Sequence, residues 1–129
     1  MIFLDANFII YLNLGVKEVV NFYIKVLQED RLALDPLVID EVIYISKKKY
    51  NVNFNDTISF LDEVVLPNSL ILPIRKEDSD KAKELILQYN LKPSDAFHVA
   101  IMLNNSISKI ISEDKDFDRI KEIERLWLN

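Results

Sequence analysis

Four acidic residues stand at the ends of apolar segments or inside them: Asp5, Glu41, Asp95 and Asp114. A carboxylate beside a buried strand or helix is costly unless a partner compensates its charge. Four such carboxylates would repel one another if the fold brought them together. A divalent cation is the usual remedy, because hard oxygen ligands suit Mg²⁺ or Mn²⁺. The four acids therefore predict a metal site and metal-dependent phosphodiester chemistry.

Composition removes several other kinds of site. The 129 residues include no cysteine, which excludes disulfides, zinc–thiolate sites and thiol nucleophiles. The one glycine, Gly15, excludes a glycine-rich phosphate loop. A net charge of −5 argues against binding nucleic acid through a generally basic surface, although a metal ion reverses the local field of an acidic pocket. The apolar runs are too short to span a bilayer and the N-terminus does not resemble a signal peptide, so we expect a cytoplasmic protein.

Short apolar runs alternate with stretches of helical periodicity along the chain. This alternation predicts one α/β domain over residues 1–129 with a mostly parallel sheet. The predicted strands are 1–5, 32–35, 70–74, 107–112 and 125–128. The predicted helices are 7–14, 16–28, one that starts at Pro36, one from Asn55 or Asp56 to Val65, one from Ser79 or Asp80 to Tyr89, one from about 93 to 104 or 105, and a short turn at 115–120.

The predicted elements give the four acids a reason to meet. In an open parallel sheet, ligands bind at the edge formed by the carboxyl ends of the strands. Asp5 and Asp114 lie at or just past such ends, and Asp95 lies in the first turn of a helix. Glu41 lies on the apolar face of the helix that starts at Pro36, so it points inward. We therefore expect the four carboxylates to converge in one pocket.

Four motifs in this order resemble those of a known family. They are Leu4–Asn7 after the first strand, Asp40–Val42, Ser94–Ala100 and Ser112–Phe117 near the end. Each motif is weak alone, but their order and spacing across the whole chain are specific. The chain resembles the PIN-domain nucleases, and most closely the small VapC-like toxin ribonucleases of toxin–antitoxin pairs.

The resemblance implies a three-layer α/β/α sandwich around a central parallel sheet. It also implies an endoribonuclease that uses Mg²⁺ or Mn²⁺, forms homodimers and is bound by a cognate antitoxin protein. Carried over to this chain, the metal-binding and catalytic positions are Asp5, Glu41, Asp95 and Asp114, with Asn7, Ser112 and Asp116 as supporting positions.

Alternatives remain for the individual residues and for the function. Asp5 and Asp95 could simply stabilise helix N-termini, and Asp114 could belong to a solvated charge run. Glu41 could bind the metal or orient the attacking water. The single histidine, His98, is expected to be structural rather than catalytic. An RNA-processing nuclease without a toxin role and a catalytically inactive protein-binding module of the same fold are the alternative functions.

Overall fold

Five short strands form one sheet in the computed structural model, which describes residues 1–128. All four strand pairings are parallel, in the order β3-β2-β1-β4-β5. The sheet that the sequence predicts to be mostly parallel is therefore parallel at every pairing of the described residues. The strands are β1 (Ile2–Leu4), β2 (Leu32–Leu34), β3 (Ser69–Ile71), β4 (Lys109–Ile111) and β5 (Glu124–Leu126).

Six α-helices connect the strands and cover both faces of the sheet. The chain moves outward from β1 through β2 to β3 and then returns across β1 to β4. Because parallel crossovers are right-handed, the helices of the return connection lie on the opposite face from those of the outward path. The result is the three-layer sandwich that the sequence predicts. The helices are α1 (Ala6–Asn13), α2 (Lys17–Glu29), α3 (Pro36–Tyr50), α4 (Phe54–Phe60), α5 (Lys76–Tyr89) and α6 (Pro93–Asn104).

The core lies around the two central strands β1 and β2, whose residues are all buried, whereas the edge strands β3 and β5 are partly exposed. Apolar runs without alternation are the sequence signature of such central parallel strands. Phe8 of α1 extends the core and contacts the rings of Phe22 and Trp127, with centroids 6.1 Å from its own in both cases. No helix within residues 1–128 is long and apolar enough to cross a membrane.

Several element boundaries differ from the sequence prediction because side chains cap earlier positions. The residue that caps α4 is Asn53, which accepts the Asp56 N–H at 2.8 Å and lies two or three residues before Asn55 or Asp56, where the sequence predicted the cap. The α-helix ends at Phe60, and the remaining predicted residues to Val65 form a π-helical turn. Helix α5 begins at Lys76 rather than near residue 80, because the Asp78 carboxylate accepts the Arg75 N–H at 2.8 Å. A buried acid three residues into a helix closes its first turn in this way.

Candidate active site

The predicted pocket lies at the carboxyl edge of the sheet, beside β1 and β4. These two strands flank the point where the chain reverses direction across the sheet, which is where open α/β folds bind ligands. The pocket has a volume of about 120 Å³, well below the ~300–1,000 Å³ of a typical small-molecule site. It can enclose a hydrated cation but not a nucleotide. Its walls are formed by Asp5, Ala6, Asn7, Glu41, Lys92, Ser94, Asp95 and Asp114.

Asp5 is fixed in one orientation by hydrogen bonds to both of its oxygens. It is the N-cap of α1, and its Oδ1 accepts the Ala6 N–H at 2.9 Å. Its Oδ2 accepts the hydroxyl of Ser112 at 2.6 Å, and the same hydroxyl accepts the Asp114 N–H at 3.0 Å. Asp114 in turn caps a 3₁₀ turn through the Asp116 N–H at 2.9 Å. Asp5 and Asp114 thus each cap a helical turn and also line the pocket, so a capping role does not rule out a role in the pocket.

Asp95 faces Asp5, and only the charge of His98 offsets part of the repulsion between the two acids. It lies in the first turn of α6, its residue is 7% exposed, and its carboxylate accepts no hydrogen bond from any residue between 1 and 128. Burial, followed by the negative charge of Asp5, raises the pKa of Asp95 to about 7. Burial also raises the pKa of Asp5, although the charge of His98 and the Ser112 hydroxyl oppose the increase. The cost of ionising this pair is the cost that a bound cation would remove.

The donor set of the pocket fits a divalent cation. One ligand atom each from Asp5, Asp95 and His98 lie within 4.8 Å of one another. Carboxylate oxygens are the hard ligands that Mg²⁺ and Mn²⁺ prefer, and the unbonded Asp95 carboxylate is free to bind. The buried acidic cluster therefore suits a metal site.

Both ring nitrogens of His98 already have carboxylate partners, so we do not count His98 among the metal ligands. His98 is fully buried, with Nδ1 2.7 Å from Asp35 Oδ2 and Nε2 3.1 Å from Glu41 Oε1. Carboxylates only accept hydrogen bonds, so the ring satisfies both contacts by donating from both nitrogens as an imidazolium. Burial alone would lower the pKa of His98, but the hydrogen bonds that it donates to Asp35 and Glu41 outweigh burial and raise it to about 10.

The supporting positions from the sequence fall in three different places. Asn7 is exposed and lines the pocket, and its amide donates to Glu113 Oε1 at 3.4 Å. Ser112 is buried beneath the pocket, where it joins the loops after β1 and β4. Asp116 does not line the pocket, and its carboxylate lies 3.8 Å from Arg119 instead.

Three residues near the pocket were missed by sequence reasoning. Lys92 and Ser94 line it from the start of α6. Asp35 is fully buried behind Glu41 and caps α3, accepting the Val38 N–H at 3.0 Å. The Asp35-Pro36 pair was the available signal, since an acid before a proline often begins a helix. It gives no indication of the contact with His98.

Known proteins share both the sequence pattern and the fold. A sequence profile of the PIN domain family matches residues 2–123. Ribonuclease VapC13 of Mycobacterium tuberculosis is 32% identical over 103 residues, which cover 75% of this chain and 73% of that protein.

Two solved structures share the fold at low sequence identity. VapC20 of Mycobacterium tuberculosis, described as a sarcin–ricin loop cleaving toxin, has a TM-score of 0.78 at 12% identity and covers 94% of this chain and 95% of its own. A toxin–antitoxin complex from Klebsiella pneumoniae has a TM-score of 0.73 at 22% identity, with 96% of both chains covered. The chain therefore belongs to the PIN-domain family, and within it to the VapC ribonucleases.

Proposed function

We propose that this protein is an endoribonuclease that depends on Mg²⁺ or Mn²⁺ and acts as the toxin of a toxin–antitoxin pair. The observation that carries the proposal is the pocket into which Asp5, Glu41, Asp95 and Asp114 come from four separate parts of the chain. A structural role does not explain this arrangement, because a buried acid such as Asp95, whose charge is only partly offset, destabilises the metal-free protein.

Each side chain has a definite task in this proposal. Asp5, Asp95 and Asp114 would hold the cation, and Glu41 would be a further ligand or would orient the attacking water. When bound, the cation would polarise the scissile phosphate and lower the pKa of a water nucleophile. Ser112 and the Ala6 N–H keep the Asp5 carboxylate in one orientation, which limits the reorganisation needed on binding. Asp95, whose pKa is raised to about 7 in the metal-free protein, would bind the cation in its ionised form.

The size of the pocket bears on the substrate. A space of about 120 Å³ admits a phosphate group at its mouth but no base, so the nucleotides on either side must lie across the protein surface. Single-stranded or loop RNA can bend to present one phosphodiester in this way, whereas a stiff duplex cannot. We therefore propose single-stranded or loop RNA as the substrate.

Exposed apolar side chains support association with other chains. Ile24, Tyr44 and Phe54 are each about half exposed, at 51%, 52% and 52%. Large exposed apolar side chains that form patches mark interaction surfaces. We propose that such surfaces serve a homodimer contact and an antitoxin contact. Sedimentation of the purified chain at high micromolar concentration should give a species heavier than 15.1 kDa, and a 15.1 kDa species would contradict the homodimer.

Cleavage of a labelled RNA hairpin with a single-stranded loop tests the enzymatic proposal. We expect cutting with Mg²⁺ or Mn²⁺, none with EDTA, and 5′-phosphate and 3′-hydroxyl ends on the products. Glu41→Gln should abolish most of the activity. Asp40→Asn is the matched control, because Asp40 is an exposed acid beside Glu41 on α3, and it should cleave like the parent. Equal loss in both variants, or cutting that survives EDTA, would contradict the proposal.

A further inference from the structure

Glu41 differs from the other pocket acids in how it is held. Asp5 and Asp114 accept hydrogen bonds from the backbone, and Asp95 lies in the first turn of a helix. Glu41 is the sixth residue of α3, has a longer side chain, and that side chain is 30% exposed. A glutamate in this position has several rotamers available and loses entropy when one is fixed. Another residue must therefore fix the Glu41 side chain if its carboxylate is to contact the cation or the water in one geometry.

His98 supplies the contact that holds Glu41. Its Nε2 donates to Glu41 Oε1 at 3.1 Å, which leaves Oε2 without a hydrogen bond from any residue in the described part of the chain. His98 itself cannot move, because it is fully buried and its ring lies against Phe3 of β1, with centroids 5.5 Å apart. One Glu41 oxygen is therefore fixed and the other is available to the pocket.

Asp35 fixes the ring of His98 from the opposite side. Its Oδ2 lies 2.7 Å from His98 Nδ1, while its Oδ1 accepts the Val38 N–H at 3.0 Å as the N-cap of α3. Asp35 and Glu41 therefore sit at the start and in the second turn of the same helix. The histidine of α6 is clamped between them. This arrangement ties the carboxylate of Glu41 to the backbone of α3 through two side chains.

We propose that Asp35 and His98 are positioning residues for Glu41. The two hydrogen bonds that join Asp35, His98 and Glu41, called the relay below, would set the orientation in which Glu41 serves the proposed nuclease site. The expected effect on catalysis rests on the proposed function, whereas the hydrogen bonds of the relay do not depend on it. The relay assigns roles to two buried ionisable side chains that do not line the pocket. Groups that orient a ligand or a catalytic side chain in this way change activity by about 10–100-fold when they are lost.

Two substitutions of His98 separate its two contacts. The amide nitrogen of Gln reaches about as far as Nε2 and that of Asn about as far as Nδ1, and each amide has only one NH₂ group to donate. His98→Gln therefore keeps the contact with Glu41 and loses the one with Asp35. His98→Asn keeps the contact with Asp35 and loses the one with Glu41. Because Asp35 is fully buried and the Glu41 side chain is 30% exposed, His98→Gln should lower the melting temperature more than His98→Asn. A lower kcat in His98→Asn therefore does not follow from lost stability.

The kinetic readout compares the two variants on one RNA. We expect kcat to fall about 10–100-fold in His98→Asn and clearly less in His98→Gln, with little change in KM for either. In a Glu41→Gln background, His98→Asn should cause no further loss, because its effect passes through Glu41. Equal kcat values for the Asn and Gln variants, or additive losses with Glu41→Gln, would overturn the proposal.

Nuclear magnetic resonance tests the relay without any activity. The chain has one histidine, so every ring N–H signal in protein labelled with ¹⁵N-histidine belongs to His98. At pH 7 we expect two ring N–H signals, and Glu41→Ala should abolish the Nε2–H signal while leaving Nδ1–H. Two unchanged signals in Glu41→Ala would overturn the relay. If the parent cleaves no RNA but Glu41→Ala still removes the signal, the proposed function fails and the anchoring of Glu41 stands.

Discussion

Asp5 and Asp35 occupy equivalent places in the fold and have opposite surroundings. Each follows a fully buried strand, β1 or β2, and each is the N-cap of the next helix. Asp35 is completely buried and lies 2.7 Å from a His98 nitrogen, so its charge is matched by a cation. Asp5 faces Asp95, and neither carboxylate accepts a hydrogen bond from a cationic side chain within residues 1–128. A His98 nitrogen lies within 4.8 Å of both acids, and its charge opposes only part of the increase in their pKa values.

The difference separates an acid whose charge is satisfied within the fold from one that we propose binds a cation. A strand, an aspartate and a helix in succession produce a capped carboxylate at the carboxyl edge of the sheet in both cases. The partner that the rest of the chain supplies then decides its role. Where a histidine donates a hydrogen bond to the acid, the charge is satisfied internally. Where the acid faces a second acid instead, ionising both is costly, and we propose that a bound cation offsets this cost.

The largest expected effect is the loss of stability when Asp35, the buried acceptor for His98, is replaced. Asp35→Ala leaves the buried imidazolium with one carboxylate and removes the cap of α3, so we expect a loss of about 3–5 kcal/mol in the free energy of unfolding. Asp95→Asn is the contrasting variant, because it removes a charge that is only partly offset and should stabilise the metal-free protein at pH 8. Denaturant unfolding in EDTA measures both. Changes of the same sign would remove the contrast between the two regions.

Substitution of Asp5 should reduce catalysis more than substitution of Asp35, the reverse of their expected order for stability. Asp5→Asn keeps the cap on α1 and removes a proposed ligand charge, so we expect RNA cleavage to fall by more than about 100-fold with the fold intact. Asp35→Asn has one oxygen for the two hydrogen bonds that Asp35 accepts, from the Val38 N–H and from His98. It should therefore lose stability, but it leaves the proposed metal ligands in place and should lose clearly less activity. Initial rates with saturating Mn²⁺ decide the comparison. A greater loss of activity in Asp35→Asn than in Asp5→Asn would reverse the assignment of the metal site.

The stability of the metal-free protein should fall as pH rises. The pKa of Asp95 is raised from 3.8 to about 7 in the folded state, so the folded protein holds this proton more tightly and loses stability between pH 4 and 7. The stabilising contribution of His98 is also lost as pH rises, but over a higher range of pH. Its pKa is raised from 6.5 to about 10, so its contribution is complete below pH 6.5 and is lost as pH rises through 10.

Thermal unfolding with and without Mn²⁺ measures this dependence on pH. Protons compete with the cation at Asp95, so the increase in Tm caused by Mn²⁺ should be small at pH 5 and larger at pH 8. The Asp95→Asn protein is the control, because it should lose most of this dependence on pH. An increase in Tm that is equal at both pH values in the parent would contradict a protonated, metal-free Asp95.

The smallest expected effect concerns the hydroxyl that orients Asp5. Ser112→Ala removes one buried hydrogen-bond donor and should cost about 1 kcal/mol of stability. The rate of cleavage should fall by up to about 10-fold, which is the smallest effect usually seen when a group that orients a metal ligand is lost. Ser112→Thr keeps the hydroxyl and should behave nearly like the parent. Ser46→Ala is the matched control, because the Ser46 hydroxyl is buried without a hydrogen-bond partner among residues 1–128. Equal losses in Ser112→Ala and Ser46→Ala would show that the Asp5 contact is unimportant.

Local sequence determined the order of the elements and most of the pocket. The apolar runs and helical stripes predicted five strands and the helices between them, because a continuous apolar run and a repeat of 3.6 residues need no distant partner. Asp5, Glu41, Asp95 and Asp114 could be chosen because each stands at the end of such a pattern or inside it. The boundaries of α4 and α5 were wrong because capping by Asn53 and Asp78 depends on side-chain geometry at a single turn.

Only the tertiary structure decided which acids are compensated. His98 lies 63 residues from Asp35 and 57 from Glu41 in the sequence, and no local pattern encodes a contact across such distances. The sequence shows a lone histidine on a helix and an aspartate before a proline, and each has an ordinary local explanation. Hydrogen bonding between them requires α6 and α3 to pack at one position and rotation. That packing is set by the whole core, which is why the relay behind Glu41 became visible only in three dimensions.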